Sequence, residues 1–96
     1  MIDLPDVATA TFDPTQAFQL HPQVALRDEE FGALAYHYGN RRLVFLKSRK
    51  LVDLVRVLEA HTSALAAIEA TVEAREFDRY EQALAGLVKS EVICGR

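Results

Sequence analysis

Residues Leu34–Lys50 read LAYHYGNRRLVFLKSRK, and how this stretch folds decides the architecture of the chain. Leu34, Tyr36 and Tyr38 alternate with Ala35 and His37, which is the period of a strand. Gly39-Asn40 is a hairpin turn signal, because both residues tolerate positive φ. Arg42–Leu46 is the returning strand, with Leu43 and Phe45 on one face and Arg42, Val44 and Leu46 on the other. At Lys47-Ser48 the period changes. Ser48 can cap a helix, its hydroxyl accepting from an amide of the next turn. Leu51, Val52, Leu54, Val55 and Leu58 then follow at helical spacing.

Upstream, Phe18–Arg27 also alternates, placing Phe18, Leu20, Pro22, Val24 and Leu26 on one side. Pro22 cannot donate to a ladder and belongs at an edge, a bulge or a strand start, so the regular strand is expected over Gln23–Arg27. Asp28-Glu29-Glu30 is a charged turn, and Gly32–Tyr38 is the next strand. The three strands form an antiparallel meander, with Leu34, Tyr36 and Tyr38 expected beneath the helices. Downstream, Thr62 or Ser63 can cap a second, Ala-rich helix with Leu65, Ile68 and Val72 inward. Ala74–Phe77 is a turn and Asp78 a cap. A third helix runs to about Ser90 with Phe77, Tyr80, Leu84, Leu87 and Val88 on one stripe. Val92-Ile93 can cover the core or add a strand. The expected class is α+β, three strands followed by a three-helix bundle (βββααα), like a winged helix-turn-helix with the sheet moved to the front. Residues 1–14 read as a flexible arm, and 15–96 as the folded domain.

At 96 residues the chain is one domain. Its single cysteine, Cys94, cannot make an intrachain disulfide, so the fold does not rely on an oxidising compartment. The N-terminus lacks a basic, apolar signal pattern. No stretch approaches the roughly 20 apolar residues a membrane helix needs. The expectation is a cytoplasmic protein without a membrane partner. His21, His37 and His61 are scattered, with no partner at zinc-ligand spacing, so no metal site is expected. Cys94 has no neighbouring base, four scattered glycines make no phosphate loop, and the acidic triplet reads as a solvated turn. No catalytic residue, and no cofactor of the chain's own, is expected.

Charge is distributed unevenly. Leu34–Lys50 holds Arg41, Arg42, Lys47, Arg49 and Lys50, five of eleven basic residues, and none of the fourteen acids. Cations flanking a strand can simply protect an edge against aggregation. Here they bracket an apolar middle, LVFL. An edge strand offers unpaired amides and carbonyls to which an extended peptide can add, and the cations would favour an acidic one. Tyr36 and Tyr38 could stack nucleic-acid bases if exposed, but their alternation with Leu34 points to packing.

LHPQVALR (Leu20–Arg27), FGALAYHYG (Phe31–Gly39), LVFLKSR (Leu43–Arg49) and the closing ALAGLVKSEVICGR together resemble the mycofactocin peptide chaperones. These are stand-alone precursor-peptide recognition elements, similar to the peptide chaperone of pyrroloquinoline quinone biosynthesis. The resemblance covers about residues 15–96. At Glu91 the chain departs from the glycine expected after Ser90. The resemblance implies a small winged helix-turn-helix without chemistry of its own. Such a protein binds the leader of a ribosomally made precursor and presents it to a radical S-adenosylmethionine (SAM) enzyme that carries the iron–sulfur clusters. It also implies that the leader lies as an added strand beside the third strand, Arg41, Arg42, Leu43, Val44, Phe45 and Leu46. The groove wall would come from the last helix, with Arg79, Gln82, Ala83, Gly86 and Lys89 off its core stripe.

The alternative is a winged-helix nucleic-acid binder. Against it, Asp78–Ser90 offers Arg79 and Lys89 opposed by Asp78 and Glu81, which is poor for a recognition helix. An open strand edge would also let two copies pair as a homodimer.

Overall fold

The structure, a computed structural model, describes residues 12–96. Among these residues, five strands and three helices follow one another. The strands β1 (Phe18–Leu20), β2 (Val24–Glu29), β3 (Gly32–His37) and β4 (Leu43–Leu46) come first. The helices α1 (Arg49–Val57), α2 (Ala64–Thr71) and α3 (Phe77–Lys89) come next, and β5 (Ile93–Gly95) closes the chain. Short 3₁₀ turns at Leu58–Ala60 and Ala74–Glu76 lead out of α1 and into α3.

β2, β3 and β4 form the expected antiparallel meander, in spatial order β2-β3-β4. The register pairs Leu26 with Ala35 and Ala35 with Val44. The run Phe18–Arg27 is not one strand. The Val24 amide bonds the His21 carbonyl, and this turn separates β1 from β2. β1 instead pairs antiparallel with β5 as a second sheet, Leu20 opposite Ile93. The apolar end of the chain therefore adds a strand, and Val92 and Ile93 are buried. The fold is α+β with three helices; the second sheet, built from the two ends of the described chain, is what the sequence pattern omitted.

Two helix starts follow from serine chemistry. Ser48 accepts from the Leu51 amide at 3.2 Å and Ser63 from the Ala66 amide at 3.0 Å. Each satisfies one of the orphan donors of a first turn. Asp78 is not a cap; it sits inside the first turn of α3, which the 3₁₀ turn enters with no side-chain cap. Val52, Leu54, Val55 and Leu58 of the first helical segment, Ala64, Ala67 and Ile68 of α2, and Tyr80, Leu84 and Leu87 of α3 form the core with Leu46, Val92 and Ile93. Leu65 is only half-buried, and alanines carry most of the buried face of α2.

The sheet turns its faces the other way from the expectation. Ala33, Ala35 and His37 are buried, whereas Tyr36 is 40% and Tyr38 59% exposed and Leu34 is half-buried. Period 2 separates two faces but does not say which one is covered. β3 is the central strand and α1 packs on it, so small side chains allow the close approach. At the start of β3 the neighbouring strand also comes close: a Cβ on Gly32 would stand 2.0 Å from the Leu46 carbonyl oxygen of β4, and the φ of Gly32 is +149°.

Residues 1–11, most of the expected arm, lie outside the described residues. From Phe12 onward the chain is tied down. Phe12 packs on Phe18 with ring centroids 5.2 Å apart, and the Pro14 and Gln16 carbonyls accept from the Leu65 and Ala64 amides. The Thr15 hydroxyl and amide both donate to Asp13, which holds that carboxyl below its usual range.

Candidate functional site

β4 is an edge strand with one neighbour, β3. The ladder phase shows which of its backbone groups that neighbour uses. The His37 amide bonds the Arg42 carbonyl at 3.0 Å. In an antiparallel ladder bonded and non-bonded pairs alternate. Val44 and Leu46 therefore spend their amides and carbonyls on Ala35 and Ala33. Leu43 and Phe45 aim theirs at the open edge, and neither makes a bond outside the ladder.

The turn that delivers β4 is built differently from the expected Gly-Asn signal. Neither Gly39 nor Asn40 has positive φ; Arg41 does, at +63°. The Arg41 amide bonds the His37 carbonyl at 2.8 Å, and Asn40 Oδ1 accepts from the Arg42 amide at 2.9 Å. His37 anchors the turn from beneath. His37 is 3% exposed, and its ring meets that of His21 at a 45° tilt with centroids 4.4 Å apart. Nδ1 accepts from the amides of Gly39 (3.0 Å) and Asn40 (3.2 Å), so the neutral ring carries its hydrogen on Nε2. Scattered in sequence, the histidines gave no sign of this pairing.

α3 runs alongside β4 in the opposite sense and is tied to its surroundings at both ends. Where β4 ends, the Ser48 and Tyr80 hydroxyls lie 3.3 Å apart, and Lys50 meets Glu76 at 3.4 Å. Where β4 begins, Asn40 Nδ2 donates to Glu91 at 3.4 Å. Glu91 takes the left-handed position after the helix, φ +65°. Its amide bonds the Val88 carbonyl, and the Val92 amide bonds the Leu87 carbonyl. This is a Schellman ending, in which glycine is the usual residue; the departure from glycine leaves the geometry of that last turn intact.

Between these ties, Leu43–Leu46 and Phe77–Lys89 leave the space where the resemblance would seat the leader. No ligand-sized pocket exists among the described residues. Helical spacing separates the α3 residues expected to line the groove. Ala83 sits beside the buried stripe, and Arg79 and Gly86 follow on the same flank. Arg79 also meets Glu76, which bonds Lys50, so this flank faces the chain leaving β4. Gly86 is surrounded by open space, with nothing within 4 Å of an added Cβ. Gln82 and Lys89 are exposed and stand roughly 170° from the buried stripe.

The basic run divides in space. Arg49 and Arg56 meet Asp28 at 3.5 and 2.8 Å, and Lys50 meets Glu76. Asp28 and Glu29 belong to β2 rather than to the expected charged turn, and Asp28 is a counter-charge for α1 that the absence of acids within Leu34–Lys50 had hidden. Arg41, Arg42 and Lys47 make no ion pair among the described residues, and they bracket β4 at its two ends. The described residues contain no group of three side chains fit to hold a metal ion, and no helix long and apolar enough to cross a membrane.

Comparisons with known proteins place the chain in a family. The model of the peptide chaperone MftB family matches residues 17–94. The peptide chaperone MftB of Mycolicibacterium smegmatis is 45% identical over 84 residues, 86% of this chain and 82% of that protein. Its namesake in Mycobacterium tuberculosis is 40% identical over 89 residues, 92% of this chain and 82% of the relative. No solved structure matches. The relatives are named as chaperones, a role without catalysis. The chain therefore belongs to the MftB family of mycofactocin peptide chaperones.

Proposed function

We propose that the chain binds the leader of the mycofactocin precursor peptide as a fourth strand on β4 and delivers it to a radical SAM iron–sulfur enzyme. One observation carries the reading: Leu43 and Phe45 hold their backbone groups out at an open edge. An extended peptide satisfies such groups without side-chain chemistry, which suits a protein that binds rather than transforms. Arg41, Arg42 and Lys47 supply uncompensated positive charge at both ends of the edge, favouring an acidic segment. On the helix side, Ala83 and Gly86 leave room for a backbone, with Arg79 at the rim. Gln82 and Lys89 have no part in this contact.

Titrating isotope-labelled protein with synthetic precursor peptide tests the reading. The amides of residues 41–47 and of the Arg79–Gly86 flank should shift together. Unmoved amides over 41–46 would overturn strand addition. Delivery is read separately: peptide modification by the partner enzyme should accelerate when the chaperone is added. Pairing of two copies through the same edge competes with the peptide, and light scattering with and without peptide separates the two.

A further inference from the structure

Among the described residues, the five large apolar side chains that stay exposed all belong to β3 and β4 or to the residues just beside them: Phe31, Tyr36, Tyr38, Leu43 and Phe45. They gather on the outer face of the meander, away from the helices. The register sets Leu34 opposite Phe45 and Tyr36 opposite Leu43. Phe31 stacks on Phe45, centroids 5.7 Å apart and planes 15° from parallel, and Tyr36 meets Tyr38 edge-on at 5.4 Å. Leu43 and Phe45 are 53% and 52% exposed, on the strand whose other edge is open. An apolar cluster of this kind is uncommon on a surface that nothing covers.

We infer that the bound leader is read on both faces of the sheet, with apolar side chains at two alternate positions packing outward against Leu43 and Phe45. The inference rests on strand addition at β4 and extends it. An added strand lies about 4.8 Å from β4 and continues its pleat, so every second residue emerges on the outer face. The residue between the two turns under, toward Val44 and α3. The outer face then offers two subsites two residues apart. One is the stacked Phe31–Phe45 pair, and the other is Leu43 with Tyr36 and Tyr38 behind it. Charge fixes what flanks them. Arg41 and Arg42 precede Leu43, and Lys47 follows Leu46, all without an acidic partner. The recognised segment is therefore apolar-x-apolar with a carboxylate beyond each end. The same cations argue against a second copy as the occupant, since a two-fold pairing would set this cationic rim against its own copy.

Calorimetric titration of synthetic precursor peptide against four proteins tests this: wild type, Leu43→Ser, Phe45→Ser and Leu43→Pro. The serine variants keep the edge-facing amides and should stay folded, melting a few degrees lower as their contacts to Leu34, Tyr36 and Phe31 are lost. Each should raise Kd about two- to fivefold, the worth of a cross-strand apolar pair. Aspartate substitution along the leader should then locate two positions, two residues apart, whose losses fail to add to those of Leu43→Ser and Phe45→Ser. Leu43→Pro deletes an amide aimed at the ligand and should abolish binding. If Leu43→Pro abolishes binding while both serine variants bind as wild type, the outward reading is wrong and strand addition stands. If all three variants bind as wild type, or wild type does not bind, both fail.

Discussion

Glu91 at the end of α3 brings its carboxylate to 3.9 Å from Nε2 of His37, the buried ring that holds the turn before β4. One residue that closes a helix and one that organises a hairpin thus meet at the head of the proposed docking edge. The contact is too long for a hydrogen bond, and His37 Nε2 has no partner. The tie between helix and turn rests on the Asn40–Glu91 bond, while the amides of Gly39 and Asn40 that His37 accepts hold the turn itself.

Replacing His37 by Phe should therefore keep the volume of the ring and lose the turn. Two amide donors, Gly39 and Asn40, would be left without an acceptor. A cost of about 2 kcal/mol is expected from their desolvation. Chemical denaturation should show it, and the amide resonances of 38–42 should broaden while those of α2 stay sharp.

Glu91→Gly should stabilise the protein. The left-handed φ of +65° costs a side-chain-bearing residue about 1 kcal/mol that glycine does not incur. The exposed contact to Asn40 that is lost offsets little of this. A melting temperature higher by a few degrees is the expected result, and a lower one would show that the Glu91 contacts outweigh the strain.

Gly32→Ala should do the reverse. At φ +149° with the Leu46 carbonyl oxygen in the way, no side chain fits. The loss should reach at least about 2 kcal/mol. Because Gly32 and Leu46 lie at the junction of β3 and β4, leader affinity should fall with it.

Gly86 separates folding from binding. It lies within α3 with nothing near an added Cβ. Gly86→Ala should gain about 0.5–1 kcal/mol of helix stability. Gly86→Leu should also fold, but it should weaken leader binding by filling the groove. Equal affinity for wild type and Gly86→Leu in the same titration would move the peptide away from this flank.

Arg41→Glu and Arg42→Glu should weaken leader binding, and raising salt should shrink the gap between these variants and wild type. Lys50→Glu should matter less, because Lys50 is already engaged with Glu76. Affinities measured at two ionic strengths distinguish the two groups.

Local chemistry by itself determined the meander, the helix starts at Ser48 and Ser63, the buried stripe of α3 and the edge character of β4. Each depends on residues close in sequence: a period of two or of 3.6, or a hydroxyl three residues from an amide. Resemblance supplied the family. What only the tertiary structure decided involves residues far apart. Alternation divided β3 into two faces, but the packing of α1 chose Ala33, Ala35 and His37 as the inner one and left the aromatic face outside. Which basic residues stay unpaired depended on Asp28 and Glu76 arriving from other elements. β1 and β5 paired across more than seventy residues of sequence, a contact no window of sequence contains. On the proposed site the two sources divide cleanly. Sequence located the edge strand, and the ladder phase identified Leu43 and Phe45 as the residues whose backbone and side chains both face outward.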